Sequence, residues 1–225
     1  MASTARTRNG SGHLATTLTA AAIPLAGWTV HTVVWHRRLA AARRDPVTGL
    51  HTRDGYVQHA TQLVSRYGDK SLILFLDMAG FKQINDLYGH DTGNEILSAT
   101  GQRLASWCGT HGVAARLHGD EFAAAVRIPP GRRPVRLAQL AHQLHQPVPI
   151  GDTLVDVSVS IGASSPSDLG TRELSLLMRG ADSAMYDHKH HGGQYRIADL
   201  TLANTPTENG RRAGRPGTRS VARAA

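Results

Sequence analysis

The spacing of apolar positions between residues 45 and 200 predicts alternating helices and strands. The run SLILFL at 71–76 is almost continuously apolar, as expected for a central strand buried on both faces. The segment at 154–163 alternates, which predicts a strand with one wet face. Further strands are predicted at 112–117, 122–128 and 194–197, and helices at 52–66, 81–88, 93–107, 135–146 and 171–190.

The predicted order of elements favours an α/β (α+β) fold with a mixed central sheet. The order is α–β–α–α–β–β–α–β–α–β, and the two consecutive strands in it are joined by a tight connection. Tight connections join antiparallel strands, so an all-parallel doubly wound sheet is excluded. We therefore expect a mixed sheet flanked by helices.

An uncharged segment precedes this region and predicts one transmembrane helix, placed at residues 14–36. Residues 14–35 contain no Asp, Glu, Lys or Arg, and a helix of this length spans a hydrocarbon core of about 30 Å. The segment also contains threonines, Pro24 and His31, so a cleaved signal peptide and a buried or interfacial helix remain alternatives. Arginines cluster directly after it, which by the positive-inside bias puts the rest of the chain in the cytoplasm. The predicted location is the inner (cytoplasmic) membrane, as a single-pass protein.

Composition and charge indicate the limits of the other segments of the chain. Residues 1–13 and the basic tail at 201–225 are predicted to be disordered, 37–44 to be a basic juxtamembrane linker, and 45–200 to be one globular domain. The net charge of +8 comes largely from arginines in the linker and tail, without interleaved aromatic residues, so we expect no nucleic-acid partner. The single cysteine, Cys108, excludes an intramolecular disulfide and fits a reducing compartment.

Three carboxylates indicate metal-assisted chemistry. Asp77 ends the buried strand at 71–76, and Asp120 and Glu121 lie between two predicted strands. If the strands pair, the three acids come close, and a divalent cation would offset their repulsion. Hard oxygen ligands favour Mg²⁺ or Mn²⁺, with Lys82 and Lys189 as phosphate partners, which points to phosphoryl or nucleotidyl transfer. A solvated acidic turn is the alternative.

Six segments together resemble the GGDEF domain family of diguanylate cyclases. They are DPVTGL at 45–50, DMAGFKQIND at 77–86, GHDTGN at 89–94, HGDEF at 118–122, SIGA at 160–163 and ADSAMY at 181–186. The resemblance implies a palm fold like that of nucleotide cyclases over residues 45–200. It also implies a homodimer that joins two GTP into cyclic di-GMP, with Mg²⁺ or Mn²⁺ as cofactor.

The resemblance also assigns roles to individual residues. Asp77, Asp120, Glu121 and the Met78 carbonyl would hold metal, and Glu121 would assist deprotonation of the attacking 3′-hydroxyl. Asp120, Glu121 and Lys82 make up the predicted catalytic set. Substrate contacts are expected from Phe81, Lys82, Asn85, Asn94, His118, Gly119 and Lys189.

Several positions depart from the family pattern. Asn94 replaces an Asp that accepts hydrogen bonds from guanine, which opens the possibility of ATP as substrate. Ala79 replaces the second Asp of D-x-D, and Gly193 stands where an Arg often follows the Lys. Gly109 and Gly112 occupy the R-x-x-D positions, so product inhibition through that site is not expected.

His118 is the sharpest departure, because the family has Gly, Ala or Ser before the glycine. Two functions therefore stay open: a membrane-anchored cyclase, or a catalytically inactive module that binds GTP or dimerises as a signalling regulator. For His188, His190 and His191 a solvated helix end is expected, with metal binding as the alternative.

Overall fold

The computed structural model describes residues 44–200, where helices and strands alternate along the chain. The helices are α1 (Arg53–Tyr67), α2 (Phe81–Cys108), α3 (Arg133–Leu144), α4 (Pro166–Leu169) and α5 (Leu174–His191). The strands are β1 (Ser71–Ala79), β2 (Gly112–His118), β3 (Glu121–Arg127), β4 (Val148–Ile150), β5 (Thr153–Val155), β6 (Ser158–Ser164) and β7 (Arg196–Ile197).

A five-stranded mixed sheet in the order β2–β3–β1–β6–β7 forms the centre of the domain. β1 pairs antiparallel with β3 on one side and with β6 on the other, while β6 pairs parallel with β7. β4 and β5 form a separate hairpin. The predicted mixed sheet flanked by helices is therefore confirmed.

The two faces of β1 enter two hydrophobic clusters. Leu74 and Leu76 lie in a cluster with residues of α2 and α3, and Ile73 and Phe75 lie in another with residues of α1 and α5. Eight of the nine residues of β1 are buried, which confirms the prediction of a strand covered on both faces. Asp77 has the same strand parity as Ile73 and Phe75, so its side chain points toward the α1 and α5 layer.

Some predicted elements differ from the structure. The single strand predicted at 154–163 is wrong: it divides into β5 and β6, and β6 is buried at every position after Ser158. The short strand β4 and the short helix α4 were not predicted. By contrast, the predicted break between the helices at 81–88 and 93–107 is confirmed, because α2 is kinked at Gly89, where the backbone is non-helical (φ 84°, ψ 165°).

Helix α5 lies unusually close to β6 at Gly162. A Cβ atom at this position would lie 2.1 Å from both the Ala181 oxygen and the Met185 nitrogen. Only glycine fits there, because the obstructing atoms belong to the backbone. This contact sets the height of α5 above the sheet.

Within residues 44–200, no helix is long and apolar enough to cross a membrane. The predicted transmembrane helix at 14–36, the segment at 1–13, the linker up to Arg43 and the tail at 201–225 all lie outside the described residues.

Candidate active site

The strand register places the predicted acids side by side. Asp77 on β1 lies opposite Glu121 on β3 and opposite Ser160 on β6, and His118 on β2 lies opposite Glu121. Residues directly opposite one another in antiparallel pairs project to the same face of the sheet. Glu121, Asp77 and Ser160, here called the acid row, therefore cross three strands on the face covered by α1 and α5, whereas His118 pairs with Glu121 across a bulge in the β2–β3 pairing.

Asp120 lies in the tight turn between β2 and β3, beside the acid row. Gly119 precedes it with φ of 56°, a conformation that side chains disfavour. The Met78 amide donates a hydrogen bond to the Asp120 carbonyl at 3.2 Å, which connects the turn to β1. The expected approach of Asp77 and Asp120 through strand pairing is confirmed.

Lys189 reaches the acid row from the last turn of α5. Its Nζ lies 2.5 Å from Asp77 Oδ1, in an ion pair. The Asp77 side chain is only 3% exposed, whereas Lys189 is 36% exposed. The buried carboxylate is thus paired with a lysine whose side chain is partly exposed to solvent.

The acids raise one another's free energy when ionised. Burial raises the pKa of Asp120, and the nearby carboxylates of Asp77 and Glu121 push it in the same direction. Its own backbone amide and Lys189 oppose this shift only in part. A cation brought to this position would therefore be stabilised by charges that otherwise repel one another.

The donor set fits Mg²⁺ or Mn²⁺ in kind, since it offers carboxylate oxygens and the backbone carbonyls of the turn. Among residues 44–200, however, no three Asp, Glu, His or Cys side chains are gathered as a complete metal cage. Mg²⁺ commonly keeps several water or phosphate ligands, so a partial protein shell suits it when a triphosphate completes the sphere.

The predicted base-contacting residues lie along the first part of α2. Asn85 packs over Gly93, where a Cβ would lie 1.9 Å from Asn85 Oδ1 and 3.3 Å from Phe81 Cζ. Glycine at position 93 thus leaves room for the side-chain amide of Asn85. The two residues lie on opposite sides of Gly89, where the helical backbone is interrupted. Lys82 and Asn94 are exposed.

His118 has an exposed side chain at the end of β2. Its backbone pairs with Glu121 across the bulge of β2, directly before the Gly119–Asp120 turn.

Arg116 supports the turn and was not predicted from the sequence. Its Nε donates to the Gly119 carbonyl at 2.7 Å, and its Nη1 donates to Asp45 Oδ1 and Oδ2 at 3.2 and 3.3 Å. Burial opposes ionisation of Asp45, but the Thr48 hydroxyl and amide and Arg116 outweigh it and lower the pKa of Asp45. The Asp45-x-x-Thr48 spacing could have indicated the local contact between Asp45 and Thr48, since Asp side chains accept such hydrogen bonds.

The histidines near the end of α5 differ from one another. His190 and His191 are exposed, and each Nδ1 contacts a carbonyl of its own helix, Tyr186 or Asp187. His188 is 7% exposed, and its Nδ1 accepts a hydrogen bond from the Ile161 amide at 2.8 Å. The prediction of a solvated helix end is therefore wrong for His188.

Known sequences resemble this chain over the same region. The 19.3 kDa protein of the repSA 5′ region in Streptomyces ambofaciens is 42% identical, covering 74% of this chain and 89% of that protein. The signalling protein YkoW of Bacillus subtilis is 34% identical over 74% of this chain, and the response regulator PleD of Caulobacter vibrioides is 33% identical over 68%. The match spans only 22% of YkoW and 35% of PleD.

Solved structures share the fold. The GGDEF domain of TpbB (YfiN) from Pseudomonas aeruginosa superposes with a TM-score of 0.62 at 29% identity, covering 71% of this chain and 96% of that one. DgcB from Caulobacter crescentus, solved with c-di-GMP, superposes with a TM-score of 0.65 over 83% of this chain and 98% of that one. Its 22% identity supports a shared fold alone.

The family model described as "Diguanylate cyclase, GGDEF domain" matches residues 42–195. This range includes every element from α1 to α5, the acid row and the turn before Glu121. The chain therefore belongs to the GGDEF domain family.

Proposed function

We propose that this protein is a diguanylate cyclase-like enzyme that condenses two GTP into cyclic di-GMP, or a related cyclic dinucleotide, with release of pyrophosphate. The observation that carries the proposal is the acid row, in which Asp77 and Glu121 stand in register beside Asp120 while Lys189 reaches Asp77. One buried and two half-buried carboxylates that repel one another, beside a partly exposed lysine, suit the binding of a metal–triphosphate complex.

The residues have distinct proposed roles. Asp77, Asp120 and the Met78 carbonyl would hold Mg²⁺ or Mn²⁺, with Glu121 assisting. When bound, the metal would polarise the α-phosphate and neutralise the leaving pyrophosphate. Lys82 and Lys189 would bind phosphate oxygens, the latter by leaving Asp77. Glu121 would accept the proton of the attacking 3′-hydroxyl.

The residues proposed to contact the substrate base are compatible with more than one nucleotide. Asn85 and Phe81, packed around Gly93, would contact guanine. Asn94 offers one acceptor oxygen and a donor NH₂ where a carboxylate offers only acceptors, so guanine loses a charge-assisted hydrogen bond of roughly 1.5–3 kcal/mol. ATP is therefore a competing substrate.

The resemblance and the sequence also lead us to propose a homodimer that is tethered to a membrane. Because cyclisation joins two nucleotides and each domain offers one acid row, two copies would face each other in a homodimer. Residues 14–36 would tether the domain to the cytoplasmic face of the membrane. Both statements are proposals built on the sequence.

A second function is favoured by specific substitutions. His118, Asn94 and Gly193 all stand where the family has other residues, and each bears on nucleotide contact. A domain with these changes would still bind GTP or dimerise through its retained fold, as a regulator without turnover.

Incubation of the full chain with Mg²⁺ or Mn²⁺ and labelled GTP, ATP or both tests the proposal. We expect a cyclic dinucleotide, resolved by chromatography. Absence of product from dimeric protein that still binds GTP would favour the regulator.

The matched variant for this assay is Asp120→Asn, which removes one charge and keeps the side-chain size. It should abolish product, and it should raise the melting temperature of the metal-free protein by relieving repulsion from Asp77 and Glu121. The Mg²⁺·GTP-dependent rise in melting temperature seen in the wild type should shrink. Product formation by this variant would contradict the metal assignment.

A further inference from the structure

At the edge of β6 beside the acid row, a side chain accepts the hydrogen bond of a strand amide. β7 pairs with β6 only at Gly162 and Ala163, so the Ile161 amide lies beyond the reach of that strand. His188 of α5 supplies the missing acceptor, with Nδ1 at 2.8 Å from the Ile161 nitrogen. His188 is buried, and its own carbonyl accepts a hydrogen bond from the Gly192 amide at the end of the helix at 2.8 Å.

This contact defines the state of the imidazole. A backbone amide can only donate, so Nδ1 of His188 carries a lone pair and the ring proton lies on Nε2. His188 is therefore a neutral acceptor. An aliphatic side chain at this position would leave the Ile161 amide without a partner at a buried edge.

The adjacent residue makes the second contact between α5 and the sheet. Lys189 binds Asp77 on β1, and Ile161 is the neighbour of Ser160, which lies opposite Asp77. Two consecutive residues of α5 thus hold two neighbouring strands, one by a charged group and one by a neutral acceptor.

We propose that His188 is a positioning residue for Lys189. By fixing the last turn of α5 to the edge of β6, the imidazole holds the lysine amine over the acid row. It can there pair with Asp77 in the free protein and with a phosphate in the complex. The phosphate part of this inference rests on the proposed nucleotide-binding function.

The test compares three variants of the full chain with the wild type, and uses Lys189→Ala as a reference. His188→Ala removes the acceptor, and His188→Asn replaces it, because Asn Oδ1 occupies a position similar to that of Nδ1. His190→Ala is the matched control, since His190 is on the same helix turn, is exposed and contacts only its own helix and Tyr186.

The first measurement does not depend on nucleotide. Exchange of the Ile161 amide should be at least tenfold faster in His188→Ala than in the wild type, and close to wild type in His188→Asn and His190→Ala. The ¹³C shift of the Asp77 carboxyl at fixed pH should move in His188→Ala toward its value in Lys189→Ala. An unchanged Asp77 shift in His188→Ala would overturn the positioning role.

The second measurement is the affinity for Mg²⁺·GTP. His188→Ala should weaken binding about tenfold and His188→Asn less than threefold. In the Lys189→Ala background, His188→Ala should cause no further loss, because its effect passes through the lysine. Additive losses would show a merely structural role. If the wild type bound no nucleotide, the proposed function would fail while the amide-exchange and Asp77 measurements would still decide the positioning role.

Discussion

His118 lies next to the acid row, where we propose that it limits the access of a nucleotide. It is exposed, lies opposite Glu121 and directly precedes Gly119, whose positive φ forms the turn. An imidazole at this place adds bulk where the backbone of the turn would approach phosphate.

We expect His118→Gly to raise kcat/KM for dinucleotide formation about tenfold, equivalent to about 1.4 kcal/mol of transition-state free energy. Initial rates at subsaturating GTP measure it. His111→Gly is the control, since His111 is also exposed but lies before β2, at its opposite end. An unchanged rate in His118→Gly would mean that the imidazole does not obstruct the site.

At the scale of single residues, the sequence predicted where the acids lie, but it did not predict the side chains that hold the neighbouring turn and helix α5 in place. Asp77, Asp120 and Glu121 could be brought together because antiparallel pairing of two recognisable strands fixes which residues face each other. Arg116 and His188 could not, since Arg116 pairs with the carboxylate of Asp45 and His188 accepts from the amide of Ile161, both distant in sequence. Nothing in the local pattern around His188 distinguishes an acceptor for Ile161 from a solvated helix end.

Helix α5 approaches β6 closely at Gly162. Any Cβ there meets the backbone of α5 at 2.1 Å, so the helix as a whole must shift. That shift would displace the end of α5, where Lys189 and His188 contact the sheet.

We expect Gly162→Ala to lower the free energy of unfolding by about 3 kcal/mol, at the upper end of overpacking costs. Urea unfolding followed by circular dichroism measures it. Gly131→Ala is the matched control, because Gly131 has no heavy atom within 4 Å of the added Cβ. A loss in Gly162→Ala no larger than in Gly131→Ala would show that α5 can move away from β6 at little cost.

Sequence periodicity found the long elements and missed the short elements β4 and α4. β1 and α5 carry enough apolar positions to be recognised, whereas β4 and β5 have three residues each and depend on each other for pairing. The single strand predicted at 154–163 failed because Asp156 and Val157 separate two strands that belong to different sheets. Alternation continues across such a break, so it cannot reveal the change of partner.

At the scale of the whole molecule, the N-terminal segment of the domain is bound to the sheet through His51. The His51 amide donates to Ala114 at 3.2 Å, and its carbonyl accepts from the Arg116 amide at 3.0 Å. Its ring lies 4.5 Å from that of His59 on α1. His51 thus joins this segment, β2 and α1, and its protonation bears on folding of the domain.

Burial lowers the pKa of His51 to about 4, and the positive charges of Arg44 and His59 act in the same direction. Above the unfolded-state value of about 6.5 both states are neutral, so His51 contributes no pH dependence there. Between about 6.5 and 4 the unfolded chain binds a proton that the folded domain does not, and stability falls as the pH falls.

We therefore expect His51→Gln to lose less stability than the wild type between pH 7 and pH 4.5, measured as the shift in urea midpoint. His111→Gln, at an exposed position, should follow the wild type. The comparison uses the change with pH within each variant, so a uniform loss from replacing the ring does not affect it. An equal acid-induced shift in His51→Gln and the wild type would mean that the neutral His51 ring is not what makes the fold sensitive to acid.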